Sequence, residues 1–427
     1  MEQVVHNTVI GMDVHQSKLV CCAMWQAGHE LKTEKKTFGT FRGEKKAMAL
    51  WCASFHPDLV IMESTGIYWM SPYAFLEKVG IQPAVVNARQ VKQMEGKKTD
   101  MGDAEWLAHV GRLGVFNRSF IPSALYREVR LHSRYLLRLT DELSAEKNRF
   151  HKVLAHAGFN LSVVFSDLHG VNASKCIEGI LVGLSVDEIM KTMKVFRLRK
   201  ATPAQVRDAL DGEITDSYRC ILSDIQDHIA FLQERIEKIQ DRLTSLIETE
   251  HPHALRLLQS IPGVSQKAAV RILIELGGED LSPFKSAERL ASWIGVCPGN
   301  NESAGKRKHG HIRKGNYYLR RILCECAHAA VRSKGTTFQS KYQSKRSKKG
   351  NKRALIMIVH NIVRMIFLVL NKKAPYRDPK IDYVAESAQK NLRRWIMFAV
   401  NDPTWEIQAT NLETGEVLQS ESLKLSA

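Results

Sequence analysis

Over the first hundred residues the apolar positions alternate or fall in short runs, and their period changes several times. "VVHNTVIGMDVH" and "KLVCCAMW" read as strands, and "LKTEKKTFGT" holds a third. "EKKAMALWCASF" has helical spacing, "DLVIMES" is a short apolar run ending in an acid, "IYWMSPYAFLEKVG" is a helix closing on Gly80, and "IQPAVVN" is another buried strand. A helix carrying Asp100 and Asp103 follows. Strand, strand, strand, helix, strand, helix, strand, helix is the order of a ribonuclease-H-like α/β domain, expected over residues 1–120.

The middle of the chain has a different period. Leu222, Ile225, Ile229, Leu232, Ile236, Ile239, Leu243 and Leu246 form an unbroken heptad seam, and Val129, Leu136, Leu139, Leu143, Phe150 and Val153, with His132 and Glu146 filling the gaps, form a comparable earlier one. Two long helices that pair, within or between chains, are expected over 121–255, around an inserted segment at about 158–216 with short helical patterns. A mainly α C-terminal domain is expected over 256–380. There "LLQSIPGVSQKAAVRILIELG" reads as helix, turn, helix and resembles a helix-hairpin-helix, in which Gly263 would let backbone N–H groups approach a phosphate. An αα-hairpin with a Pro-Gly turn and no ligand has the same pattern. The run "ALIMIVHNIVRMIFLVL" is broken by His360, Asn361 and Arg364, which favours a buried helix over a membrane span. Residues 381–427 read as an appendage whose last thirty or so residues are β-rich, with "ETGE" as a turn.

Charge sharpens this picture. The chain of 427 residues has a net charge of +17, and between Ser303 and Arg353 sixteen Lys or Arg face one acid, Glu325. So concentrated a field is the footprint of a phosphate-backbone binder, and no amphipathic anchor points instead to a membrane. Candidate nucleic-acid contacts are Lys306, Arg307, Lys308, Arg313, Lys314, Arg320 and Arg321, with Lys345, Arg346, Lys348 and Lys349 further on. The eight cysteines include no CxxC pair, and the N-terminus lacks a signal-peptide pattern, so a reducing cytoplasm is the expected location. Cys324-Glu325-Cys326 belongs to a helix and lacks further ligands for a metal.

The candidate chemistry rests on carboxylates. Asp13 and Glu63 end two otherwise apolar strands, and ligands of open α/β sheets gather at the carboxyl ends of strands. Asp100 and Asp103, three apart in "KKTDMGDAEW", would share a helix face; taken alone, they fit an acidic helix start with Thr99 or Asp100 as N-cap. As a set of four, they could hold one or two Mg²⁺ ions for phosphodiester cleavage.

These landmarks carry a resemblance. "IGMDVHQSK", "MESTGIYW" and "KKTDMGDAEWLA", followed by "IPGV" and "LASWIGVCPGNNESAGKRKHGHIRKGNYYLRRIL", resemble the DEDD transposases, or recombinases, of the insertion sequence 110 family from about residue 8 to about 335. The resemblance implies a RuvC-like domain with Asp13, Glu63, Asp100 and Asp103 as Mg²⁺ ligands, with Mn²⁺ able to substitute. It implies a second catalytic group, Ser303, whose hydroxyl attacks a DNA phosphate and forms a covalent intermediate. The motif here reads Ser303-Ala304-Gly305, where the family often has Ser-Ser-Gly or Ser-Gly-Gly, and Ser286 and Ser292 are the nearest upstream alternatives. Also implied are double-stranded DNA as substrate, a structured non-coding guide RNA, and a homo-oligomer, dimer to tetramer, in which the carboxylates of one subunit work with the serine of another. From the residues themselves, Ser303 is a polar loop serine followed at once by three cations. His309 and His311 flank that loop as phosphate contacts or proton carriers.

Three other readings compete. A structure-selective nuclease would use the carboxylates alone on branched DNA. An actin-like kinase would need a second Asp-Gly phosphate loop, which the sequence lacks. An architectural nucleic-acid binder would be indifferent to Asp13→Asn.

Overall fold

The N-terminal alternation becomes a three-stranded antiparallel meander, β1 (Thr8–Val14), β2 (Lys18–Ala27) and β3 (Glu30–Gly39). A computed structural model describes residues 4–64, 66–87, 102–168, 170–192, 201–297, 301–303, 306–309, 312–401, 408–410, 414–415 and 417–419. It divides into two compact units, 1–127 and 128–427.

In the first unit, β4 (Leu59–Glu63) joins the free edge of β1 in parallel, and β5 (Ala84–Val86) joins β4 in the same sense. Parallel neighbours need crossovers, supplied by α1 (Arg42–Ser54) and α2 (Met70–Lys78). The mixed order β3-β2-β1-β4-β5 is consistent with the ribonuclease-H-like arrangement expected from the sequence. One face of the sheet buries Ile10, Met12 and Leu19 with Met48 of α1 and Leu76 of α2. The other buries Val9, Leu59 and Ile61 under Trp106, Leu107 and Val110 of α3 (Asp103–Leu113). A Cβ on Gly11 would stand 2.0 Å from the Ala104 carbonyl oxygen and 2.4 Å from the Ala108 nitrogen, so glycine is what lets α3 lie directly on β1.

The second unit contains most of α4 (Ala124–His156), the insert helices α5 (Leu161–Val164), α6 (Val171–Val182), α7 (Val186–Thr192) and α8 (Pro203–Leu210), and the 35-residue α9 (Asp216–Glu250). Phe150 and Leu154 of α4, Ile177 and Ile180 of α6, Val206 of α8, and Leu222, Ile225 and Ile229 of α9 form one core. The start of the heptad seam is therefore used to seat the insert. Further along, Ile236, Ile239 and Leu246 are only half-buried.

Beyond it come α10 (Pro252–Gln259), α11 (Gln266–Leu276), α12 (Ala287–Ile294), a hairpin of β6 (Asn301–Ser303) and β7 (Lys306–His309), α13 (Tyr317–Ala330), α14 (Thr337–Lys349) and α15 (Asn351–Lys372). Among the described residues, α15 is the one helix long and apolar enough to cross a membrane. It buries Ile358, Val359, Ile362 and Val363 among α10, α12, α13 and α14, as a core helix does. The last helix, α16 (Tyr383–Asn401), takes in "RWIMFAV", which the sequence reading placed in a β-rich tail. Leu392, Trp395, Phe398 and Ala399 carry the three-to-four spacing that explains the helix. Among the described residues, the short pair β8 (Gln408–Thr410) and β9 (Val417–Gln419) matches the β expectation.

Candidate active site

Side chains alternate along a strand, so Val9, Gly11 and Asp13 share the face of β1 that α3 covers. The parallel ladder pairs Val9 with Leu59, Gly11 with Ile61, and Met12 with Met62. Asp13 and Glu63 follow one step on, on the same face at the carboxyl ends of adjacent strands, about 4.8 Å apart in the hydrogen-bonding direction. Asp103 opens α3 immediately before Ala104, the residue seated on Gly11, so this acid is brought to the same end of the sheet.

The helix starts later than the sequence pattern suggests. Gly102 is its N-cap, in extended conformation and without a side-chain cap, and neither Thr99 nor Asp100 takes that place. Asp103 stands in the first turn, where the helix dipole favours a carboxylate. Asp100 lies outside the described residues. Among those described, no group of three or more His, Cys, Asp and Glu stands arranged to hold a metal ion. Register and packing thus converge Asp13, Glu63 and Asp103 as backbone positions. An all-carboxylate donor set is the chemistry that suits a hard divalent cation such as Mg²⁺.

Two neighbours of this end went unremarked in the sequence. His15 places its Nε2 2.8 Å from the Asp13 carboxylate, with the acid mostly buried and the imidazole half-exposed. The signal was available, since residues two apart on a strand point the same way. Glu105, two residues into α3, pairs with Lys35 of β3, which raises the lysine's pKa. On β2, the Cys22 thiol is pushed up to about 11 by burial and then by the Glu105 charge, so it stays protonated there.

In the second unit, Ser303 ends β6 and faces Lys306 across the hairpin register, with Glu302 opposite Arg307. The loop expected from sequence is thus a hairpin closed by two residues, which lie outside the described set, as does His311. Its stem is firmly held. The Arg313 N–H donates to Cys297 O (3.4 Å) and the Asn316 N–H to Trp293 O (3.2 Å). A Cβ on Gly315 would meet the Gly295 nitrogen at 2.5 Å, so the two chain ends touch backbone to backbone. Asn316 caps α13 through the Leu319 N–H (3.1 Å) and donates from Nδ2 to Glu275 Oε2 (2.8 Å).

Glu275 is fully buried. Arg134 of α4 grips both its carboxylate oxygens at 3.0 Å, and Arg130 donates to the Ile274 and Glu275 carbonyls. Burial, only partly offset by Glu275, lowers the Arg130 pKa to about 10. An acid inside the apolar run "ILIELG" was the sequence sign that this position was special.

The cations divide into two sets. Arg320 donates to the carbonyls of Gly295 and Arg313 (3.4 Å each), and Arg321 grips Asp141 of α4 through two nitrogens (2.7 and 2.5 Å). These two are committed inside the protein. Lys314, Arg346, Lys348 and Lys349 are exposed, as is Arg313, and Lys345 is half-buried. Gly263, with φ of +86°, forms the turn between α10 and α11; a Cβ there would strike Cys326 O at 2.3 Å and the Ala330 nitrogen at 2.5 Å. Close packing on α13 therefore demands glycine at this turn.

Comparison with known proteins agrees with this organisation. Residues 10–158 match a family model of the IS110 DEDD type, described as transposase, and residues 255–343 match one described as transposase of the IS116/IS110/IS902 family. A probable family 20 transposase of Pseudomonas aeruginosa is 22% identical over 328 residues, covering 75% of this chain and 86% of the relative. An uncharacterized 42 kDa protein of insertion element IS900 from Mycobacterium paratuberculosis is 22% identical over 65% of this chain and 73% of its own length. The pilin gene-inverting protein of Moraxella bovis is 28% identical over 156 residues, 35% of this chain and 48% of that protein. With the carboxylate-bearing sheet covered by one family model and the helices around the serine hairpin by the other, the chain belongs to the IS110 family of transposases, enzymes that cleave and join DNA.

Proposed function

We propose that this transposase moves or inverts a DNA segment by divalent-metal-dependent cleavage and strand exchange, with Asp13, Glu63, Asp100 and Asp103 as metal ligands and Ser303 as nucleophile. The observation that carries the reading is the register that sets Asp13 beside Glu63, with Asp103 opening the helix seated on Gly11. The N-terminal sheet is then RuvC-like. When bound, Mg²⁺ supplies Lewis-acid activation of the attacking oxygen and stabilisation of the leaving one. The four carboxylates hold and orient it, and without a cation they would repel one another.

Ser303 attacks a DNA phosphorus through Oγ. A P–Oγ bond forms while the bond to one deoxyribose oxygen breaks; the serine proton passes to a base, and the leaving oxygen gains one. Attack by the hydroxyl of another strand reverses the step and frees the serine, so phosphodiester bonds are conserved. Lys306, Arg307 and Lys308 on the facing strand neutralise charge on the transferring phosphate. The exposed cations of the 303–353 segment bind the backbones of duplex DNA and of a structured guide RNA, and the α10–α11 turn around Gly263 adds a phosphate contact. Exposed apolar side chains on the long helices, Leu131, Tyr135, Ile221 and Phe231, fit pairing between copies of the chain. Kinship with a pilin gene-inverting protein supports inversion as one outcome.

The test is a plasmid carrying the element with its flanking non-coding region, scored for excision, insertion and inversion. Wild type is compared with Asp13→Asn, Asp103→Asn and Ser303→Ala, and covalent DNA adducts are trapped on denaturing gels. Loss of recombination in all three variants, with an adduct that Ser303→Ala cannot form, is expected. Recombination by Ser303→Ala would remove the serine and leave a carboxylate-only nuclease mechanism.

A further inference from the structure

Between α14, α15 and the segment leading into α16 lies a cavity of about 480 Å³ to which the strand-exchange chemistry assigns no role. Its size falls within the roughly 300–1,000 Å³ typical of small-molecule sites. The charged side chains lining it, Lys341, Arg364, Lys372 and Arg377, are all cations. The adjacent acid is already occupied: Asp378 accepts from the Thr337 N–H at 3.1 Å and from the Lys380 N–H at 2.8 Å, capping α14 from outside. Glu288 stands 3.8 Å from Arg364, with both side chains at least half-exposed, so that pairing is weak.

Burial holds the Lys341 ammonium below its ordinary pKa, and Arg364 and Lys345 add to the effect. His360, one turn before Arg364, is held down by burial and by the same arginine. Four cations line the cavity, against the exposed and weakly paired Glu288 and an Asp378 carboxylate turned toward the start of α14, an excess of positive charge that favours an anion.

The rest of the lining is mostly apolar and includes three aromatic rings, Phe338, Tyr376 and Tyr383. Phe338 and Tyr376 stack at 5.8 Å with planes 13° apart, and Lys341 Nζ lies 5.3 Å over the Tyr383 ring. Asn361 adds an amide able to donate to and accept from a base edge. Phosphate or sulfate would use the cations and leave the rings idle. A planar base joined to a phosphate uses both, as unpaired nucleotides do on aromatic and basic platforms.

We propose that this cavity binds one nucleoside phosphate, with its phosphate at Lys341 and Arg364 and its base against Tyr376 or Tyr383. Its natural source is an unstacked nucleotide of bound nucleic acid. That source rests on the recombinase reading, whereas the chemistry of the cavity does not.

The full-length chain would be titrated with a labelled RNA hairpin carrying one bulged 5-iodouridine, with the same hairpin fully paired, and with uridine monophosphate. Wild type, Lys341→Met and Tyr383→Leu are compared, and photo-crosslinks are mapped. The expected result is a crosslink to Tyr376 or Tyr383, with Tyr383→Leu lowering the preference for bulged over paired RNA by roughly 5- to 100-fold, the size of one lost base–aromatic stack, and Lys341→Met weakening bulged RNA more than paired RNA. Binding of the mononucleotide alone, abolished by Lys341→Met, would support the cavity with a free nucleotide as its source, even if the plasmid assay rejected recombination. Crosslinks elsewhere, together with no mononucleotide binding, would overturn the proposal. So would equal losses on bulged and paired RNA, which would mark Lys341 as a general backbone contact.

Discussion

The carboxylate end of the sheet and the stem of the serine hairpin are built by opposite means. In the first, geometry comes from backbone: a parallel ladder sets Asp13 beside Glu63, and Gly11 brings the start of α3 against β1. In the second, the Gly295–Gly315 contact is reinforced by a buried polar clamp, where Glu275 ties Asn316 at the root of the hairpin to Arg134 of α4. Acids that repel one another are well served by a scaffold that does not depend on their charge. A hairpin of few residues has little core of its own and needs side chains from elsewhere to fix it.

The largest effect that sharpens this contrast is on activity. Asp13→Asn should lower recombination by about a hundredfold or more while leaving the thermal midpoint unchanged or raised, measured by plasmid assay and calorimetry. A large loss of stability would show that the carboxylate helps to hold the sheet. Glu275→Ala should do the reverse, costing up to about 3 kcal/mol by leaving the partly buried Arg134 and the Asn316 amide without their carboxylate, read from denaturant unfolding of the second unit's signal. A neutral result there would break the comparison.

Next in size is Gly11→Val. Its side chain must push α3 off β1, an overpacking cost of about 1–3 kcal/mol, and should remove activity together with stability. The smallest effect concerns Asp141, whose carboxyl is held below its usual pKa by the hydrogen bond from Arg321. A depressed carboxylate stabilises above its unfolded pKa, and that contribution disappears as pH falls through the lower, folded value. Asp141→Asn should therefore lower stability at neutral pH by less than about 1 kcal/mol, and the gap to wild type should close at acid pH.

Much of the first unit is legible in the sequence. The alternating and clustered apolar runs gave the strand and helix order because burial on one or both faces writes the period directly into the sequence. Asp13 and Glu63 stood out because an acid ending an apolar run has no packing reason. The start of α3 was misplaced because an acidic stretch offers several plausible caps, and Gly102, with no side chain, gives no sign of being one. His15, by contrast, lay within reach of a strand-face argument.

The second unit was less readable. Its heptad seam looked uniform, yet the insert takes up the first part of it, a choice between partners that periodicity cannot express. Arg320 and Arg321 counted as surface cations in the sequence and turned out to brace the hairpin stem and α4, since charge alone does not distinguish a phosphate contact from an internal clamp. Gly263 had a turn as its evident reason, and the approach of α13 supplies a second.

By itself the sequence determined the local periods, the concentration of positive charge and the acids set at strand ends, because these depend on residues near one another in the chain. Only tertiary structure decided which strands are neighbours, which cations face inward, and that Lys341, Arg364 and Tyr383 from three helices enclose one cavity. Those outcomes turn on contacts between segments far apart in sequence, where packing and desolvation, not local pattern, select the partner.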